Sequence, residues 1–304
     1  MIYQENDSLY VRKYILDEQA KNHLLSILPK EQLIAKNFPK ILLNKMVKKD
    51  NIFIDFEYLN FPSLELLIEK ALIKKEFEKT KDYIIILKKL ITNLKTINEN
   101  PYKNKEFIKI FDSNNKYQST RKIECSVITI LDLNFDNLLL DEKENKIYLI
   151  DYEWVYNFPI PKDFLFFRSV LYLCQKLQPI IQTVCSSQFP GIEVLPNFLI
   201  PKAWFGIVSL NRTRLSKYRQ YELNFQKTVN LVPEKVKKDI NVEKSKVVKQ
   251  RYSQNLESYI SFQVQQQVQQ QVQQYINPLQ KELDELKSSR LFKVRNLYHS
   301  FKIK

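Results

Sequence analysis

Asp132, Asn137 and Asp151 stand at spacings that suit metal-assisted chemistry. Asp132 and Asn137 lie five apart, after the apolar, β-branched run 123–131. Leu138-Leu-Leu140 follows, then the charged turn Asp141-Glu-Lys-Glu-Asn145, then Lys146-Ile-Tyr-Leu-Ile150, which leads into Asp151. Two short apolar runs around a polar turn read as a β-hairpin. A hairpin returns the chain beside its start, so it brings Asn137 next to Asp151. Mg²⁺ prefers hard oxygen ligands and takes few of them from protein, which makes this pair a candidate Mg²⁺ site. Asp132 is then left to accept a hydroxyl proton. The competing reading is that each is a turn residue, the commonest role of Asp and Asn in hairpins.

Composition narrows the other chemistries. At the usual ~7% Gly, a chain of 304 residues would carry about 20; this one has Gly191 and Gly206 only. That excludes a G-x-G-x-x-G dinucleotide loop, a Walker A loop and a G-x-S-x-G elbow. His23 and His299 stand far apart, so there is no H-E-x-x-H zinc motif, and a Ser-His-Asp triad has little to build on. Cys125, Cys174 and Cys185 are too few and too spread for a zinc site or a disulfide framework, and read as reduced thiols of a cytosolic protein. The net charge is +14, carried by 39 Lys and 9 Arg. Base reading and bidentate phosphate binding favour Arg, and half of the excess sits in residues 231–304, which hold 14 basic and 7 acidic side chains. No nucleic-acid partner is expected. Gln4, Glu5, Asn6 and Asp7 follow Met1 where a signal peptide would carry cations and an apolar run, and no stretch is long enough to span a bilayer.

The elements that must position these residues can be sketched. Leu9–Lys13 alternates as a strand, and Asp17–Leu28 reads as an amphipathic helix stopped by Pro29. Ile41–Val47 and Asn51–Leu59 read as strands around Lys48-Lys49-Asp50. Ser63 N-caps a helix over Leu64–Leu72, and 76–98 reads as a second helix. Phe164–Leu177 reads as a buried helix, 178–200 as Pro-punctuated irregular chain, and Leu215–Val229 as a final helix. Val264, Val268, Val272 and Ile276, then Leu279, Leu283 and Leu286, form an apolar stripe in a polar background. That stripe argues for a coiled coil, against the alternative of a lone polar helix.

Asp132-Leu-Asn-Phe-Asp-Asn137, the hairpin, and Tyr148-Leu-Ile-Asp151-Tyr-Glu-Trp154 together resemble the active-site layout of protein kinase-like phosphotransferases, including aminoglycoside phosphotransferases. The stretch Asp151–Phe164 is similar to kinase-like domains attached to bacterial polysaccharide glycosyltransferases and methyltransferases, such as the O-antigen chain-terminating kinase–methyltransferase. Phe53–Leu67 resembles the hinge and following helix of that group, and Tyr218–Val229 its last helix. The resemblance spans about residues 8–230. It implies an α+β, two-lobed, kinase-like fold: a truncated N-lobe over 1–60, a helical C-lobe with the catalytic hairpin over 61–230, a charged linker over 231–258, a coiled coil over 259–290 and a basic amphipathic tail over 291–304.

The resemblance also implies roles. Asp132 is the catalytic base, and Asn137 and Asp151 hold Mg²⁺. Lys13 pairs the ATP phosphates, with Glu18 holding Lys13 and Glu31 as its competitor. Glu57, Tyr58 and Leu59 contact adenine through backbone groups. The expected cofactors are ATP and Mg²⁺, and the expected acceptor is a sugar hydroxyl on a lipid-linked or surface glycan. Expected partners are a glycosyltransferase or methyltransferase and further copies of the chain through the coiled coil. The expected location is the cytoplasm, with the basic tail in peripheral contact with the inner membrane face. The chain departs from the pattern by lacking a Gly-rich loop, by carrying Ile130 where many relatives have His, and by having only about eight residues before the Lys13 strand. Those departures support a second reading, an inactive pseudokinase scaffold that recruits glycosyltransferases. Arg168, inside the buried helix, is expected to pair with Asp163 or Glu153, and Trp154 and Trp204 to be core or substrate-wall aromatics.

Overall fold

The computed structural model describes residues 1–15, 21, 25–50, 52–112, 120–188, 192–195, 198–201 and 212–229, with isolated positions between 268 and 284. The chain divides into two compact units, Met1–Gln250 and Arg251–Lys304.

The first unit begins with strands. β1 (Ile2–Glu5) and β2 (Ser8–Tyr14) form a hairpin around Asn6 and Asp7, both at positive φ, as a two-residue turn matched to strand twist requires. Among the described residues one strand thus precedes the Lys13 strand, joined to it by this tight turn. α1 (Ile27–Asn37) follows. The sequence pattern places a helix stop at Pro29. The helical run is broken at Ser26, before Pro29, and Pro29 stands in the first turn of the next helix, where the backbone N–H it lacks has no helical partner to lose. β3 (Leu42–Leu43), β4 (Met46–Lys49) and β5 (Phe53–Glu57) come next. The single expected strand over Ile41–Val47 is two, because β3 pairs elsewhere; the sheet runs β1-β2-β5-β4, all antiparallel.

The helical part starts at α2 (Leu64–Ile73), whose N-cap Ser63 accepts from the Leu66 N–H at 3.2 Å. α3 (Phe77–Thr92) packs on α2 and ends earlier than the sequence pattern predicts, since Thr96–Glu99 is strand β6. A short 3₁₀ turn (Pro101–Lys103) and α4 (Lys105–Phe111) follow, capped by Asn100 and Asn104. β7 (Ile123–Ser126) pairs β6, and β8 (Thr129–Ile130) leads to the loop that carries Asp132. β9 (Leu138–Asp141) and β10 (Lys146–Leu149) form the expected hairpin, and β3 joins it in parallel to β10. β11 (Val155–Tyr156) returns to β8, and β12 (Ile160–Pro161) to β7.

α5 (Lys162–Gln188) runs past Pro179, where the sequence pattern breaks it. Pro179 costs one helical hydrogen bond, but Ile180 and Ile181 beyond it are fully buried, which offsets that loss. A hairpin of β13 (Ile192–Leu195) and β14 (Phe198–Pro201) occupies part of the stretch read as irregular. α6 (Arg212–Val229) closes the unit. The core beneath the site is aromatic: Phe107, Phe111, Phe158, Phe164, Tyr221 and Phe225 are almost fully buried, with ring centroids 5.2–6.4 Å apart in tilted, edge-on and stacked pairs.

In the second unit the described positions 268, 272, 273, 276–278, 280, 281 and 284 are helical, and Val268, Val272 and Ile276 are each about half exposed. The linker over 231–258, the basic tail over 291–304 and most of the expected coiled coil lie outside the described residues. So do Trp204, Glu18 and most of the helix expected over Asp17–Leu28. Among the described residues no helix is long and apolar enough to cross a membrane, and Cys125 and Cys174 are buried free thiols.

Candidate active site

The site lies where the strand-rich part meets the hairpin. The register Leu138↔Leu149 sets Asn137 opposite Ile150, whose N–H donates to the Asn137 carbonyl at 2.9 Å. Asn137 therefore sits one residue from the level of Asp151. The Asn137 Nδ2 donates to the Asp132 backbone carbonyl at 3.1 Å, which commits the amide nitrogen and leaves Oδ1 as the acceptor for a ligand. Asp151 takes φ 57, in the left-handed region where a side chain with a Cβ is strained. Such strain recurs at functional positions.

Asp132 is buried, 6% exposed, in the loop between β8 and β9. Its Oδ2 accepts the Trp154 N–H at 2.5 Å, and Leu131 N–H donates to the Trp154 carbonyl at 2.9 Å, so the loop and the segment after Asp151 hold each other. Burial pushes the Asp132 pKa up to about 7; Asp151 and Glu153 add to the rise, while the Trp154 N–H and Arg168 oppose it. A carboxyl group titrating near neutrality is suited to take and release a proton.

Helix side chains pin this loop from behind. Arg168, 6% exposed, donates from Nε to Glu222 Oε2 at 2.9 Å and from Nη1 to the Leu131 carbonyl and to Asn134 Oδ1 (3.3 Å). Its partner is thus Glu222 of α6. Of the two expected partners, Asp163 pairs with Arg214 at 2.9 Å and Glu153 with Lys13. Ser169 Oγ donates to the Leu133 carbonyl, and Lys176 ties Asp136 to Glu65. Trp154 packs its ring edge-on to Phe225 at 5.6 Å and is part-buried.

Lys13 reaches the hairpin from β2. Its ammonium donates to Asp151 Oδ1 and, at 2.5 Å, to Glu153 Oε1. Burial works against the charge, but the two carboxylates outweigh it and hold the Lys13 pKa above the ordinary lysine value. Lys30, on the first turn of α1, also belongs here: burial lowers its pKa, and Glu153 and Asp132 act in the opposite sense. Neither Glu153 as the Lys13 partner nor Lys30 was anticipated from sequence. The two-residue step from Asp151 to Glu153 was the one available signal, since alternate residues of an extended segment face one way.

Between the sheet and the hairpin lies a cleft of about 420 Å³. Val11 and Phe56 line it from the sheet, Leu139 and Ile150 from the hairpin, and Glu57, Tyr58 and Leu59 along the connection to α2. Lys13 and Asp151 line it too, so its apolar part ends on charge. The Glu57 N–H donates to the Lys45 carbonyl (2.8 Å) and the Tyr58 N–H to the Leu9 carbonyl (3.1 Å). Glu31 lies on α1 and bears on the Tyr152 hydroxyl, whose pKa burial and this carboxylate push upward. Among the described residues, no group of three or more His, Cys, Asp or Glu is set to hold a metal by itself. Asn137 and Asp151 fit a Mg²⁺ ion that draws its other ligands from water and phosphate.

No family model matches the chain, and no curated protein is significantly similar to it. Among solved structures, choline kinase LicA from Streptococcus pneumoniae aligns at 14% identity and a TM-score of 0.38, covering 85% of this chain and 89% of that one. The gentamicin-APH(2")-IIa complex aligns at 10% identity and a TM-score of 0.29, covering 72% and 85%. Both superpositions are loose, and the chemistry below rests on this chain's own side chains.

Proposed function

We propose that the chain is an ATP- and Mg²⁺-dependent phosphotransferase whose acceptor is a sugar hydroxyl on a lipid-linked or surface glycan. The observation that carries this reading is the meeting of Lys13 and Asp151, 138 residues apart, at the charged end of an apolar cleft with buried Asp132 nearby. An apolar cleft suits a purine base, and a lysine at its end suits the phosphates. Of the three connecting residues, Leu59 is the one whose N–H donates to no backbone carbonyl among the described residues, so it is the amide assigned to the base.

In the transfer, Asp132 accepts the acceptor hydroxyl proton as that oxygen bonds to the γ-phosphorus. The bond from γ-phosphorus to the bridging oxygen breaks, and ADP leaves. Lys13 offsets the phosphate charge, and Arg168, through Leu131 and Asn134, keeps the base in place. Asn137 and Asp151 are the residues that would hold Mg²⁺, which would supply further charge neutralisation. Trp154 and Tyr156, both part-exposed near Asp132, offer aromatic faces on which a sugar ring can stack.

The test is transfer of label from γ-labelled ATP to a membrane glycan extract. Asp132→Asn is expected to bind nucleotide and lose transfer. A wild-type chain that binds ATP and transfers to nothing favours the second reading, an inactive scaffold, which the lack of a Gly-rich loop in the sequence also supports.

A further inference from the structure

We infer that Glu153 is the positioning residue for Lys13, holding its ammonium in the cleft when a metal ion takes Asp151. This rests on the nucleotide reading above.

Lys13 now divides its donors between two carboxylates of one short segment. The segment can present both because Asp151 turns at φ 57 and residues 151 and 153 then face the same way. Tyr152 between them faces the other way: it is fully buried, edge-on to Phe56 at 6.3 Å, with its hydroxyl donating to the Asn44 carbonyl at 3.3 Å. The Tyr152 anchor therefore fixes where Glu153 points.

The two carboxylates differ in setting. The Asp151 side chain is 49% exposed, whereas those of Glu153 and Lys13 are 21% and 24% exposed. The exposed one is the proposed metal ligand, and an oxygen that binds a divalent cation must give up a lysine held at the same place. An ammonium has three donors. If Asp151 were the sole partner, metal binding would release a long flexible side chain to solvent, and phosphate binding would bear the cost of re-ordering it. With Glu153 in place one donor stays fixed, and two become available to phosphate oxygens. The role expected of Glu18 is thus assigned to a residue two positions beyond the metal ligand.

Glu153→Gln keeps the size of the side chain and removes its charge. The experiment compares two probes on the full chain: the Mg²⁺ complex of the non-hydrolysable analogue AMP-PNP, by calorimetry, and adenosine, by NMR titration. Glu153 touches Lys13 but is not among the residues that line the cleft, so a role confined to Lys13 acts on phosphates and not on the base. Glu153→Gln is expected to weaken Mg·AMP-PNP about tenfold and adenosine less than twofold, with the melting curve of the fold retained. Equal losses for both probes assign Glu153 a merely structural role and overturn the inference, as does undiminished Mg·AMP-PNP binding. A wild-type chain that binds neither probe removes the nucleotide reading itself, and this inference with it.

Discussion

Replacing Glu222 by Leu tests whether the loop that bears Asp132 is held by a buried ion pair. Arg168 and Glu222 are each less than 9% exposed, with Nε to Oε2 at 2.9 Å. Glu222 also accepts from the Tyr172 hydroxyl (2.5 Å) and from Gln226 Nε2 (2.8 Å). Glu222→Leu leaves the guanidinium with the neutral acceptors on Leu131 and Asn134 and takes the acceptor from the Tyr172 hydroxyl, while Gln226 keeps that hydroxyl as its own acceptor. Removing one partner of a buried pair costs about 3–5 kcal/mol. For a unit of this size each kcal/mol moves the midpoint by about 2–4 °C, so Tm should fall by roughly 6–20 °C. Arg168→Met together with Glu222→Leu removes both charges, and it should recover most of that loss because no uncompensated ion remains. Calorimetry on the four chains of the cycle gives the coupling. A fall below about 2 °C for Glu222→Leu, or a double variant as unstable as the sum of the singles, would refute the pairing as the loop's anchor.

Asp132→Asn should raise Tm at pH 8 and lose that advantage toward pH 4. The folded Asp132 pKa of about 7 lies above the ordinary 3.8, so the fold retains a proton that the unfolded chain releases, and wild-type stability falls as pH rises through that window; a pH-independent gap sinks the assignment. ATP with Mg²⁺ at about 100 times its dissociation constant should stabilise the wild type by ~2.7 kcal/mol, a rise of roughly 5–10 °C, and should do nothing for Asp151→Ala; scanning fluorimetry reads both, and equal rises contradict the metal site. Leu283→Lys should lower the mass seen by light scattering if the C-terminal stripe assembles copies of the chain, whereas Gln267→Lys, off the stripe, should leave it unchanged.

What the sequence alone made legible is what short-range geometry decides. The β9–β10 hairpin follows from two apolar runs and a polar turn, and it places Asn137 beside Asp151 with no help from the rest of the chain. The Ser63 cap is equally local. Pairings across the fold were not legible. Arg168 had two acidic candidates nearby in sequence and chose Glu222, 54 residues on, because α5 and α6 pack together and exclude water there, while Asp163 stayed at the surface with Arg214. Lys13 found Glu153 at a separation of 140 residues. Pro179 carries a local stop signal yet ended no helix, because fully buried isoleucines follow it, while Pro29 fell in the first turn of a new helix that begins after Ser26. Residue type and spacing determine which groups a turn or hairpin brings together. Which charge meets which is set by burial, since an ion removed from water must pair with whatever opposite charge the packing brings within reach.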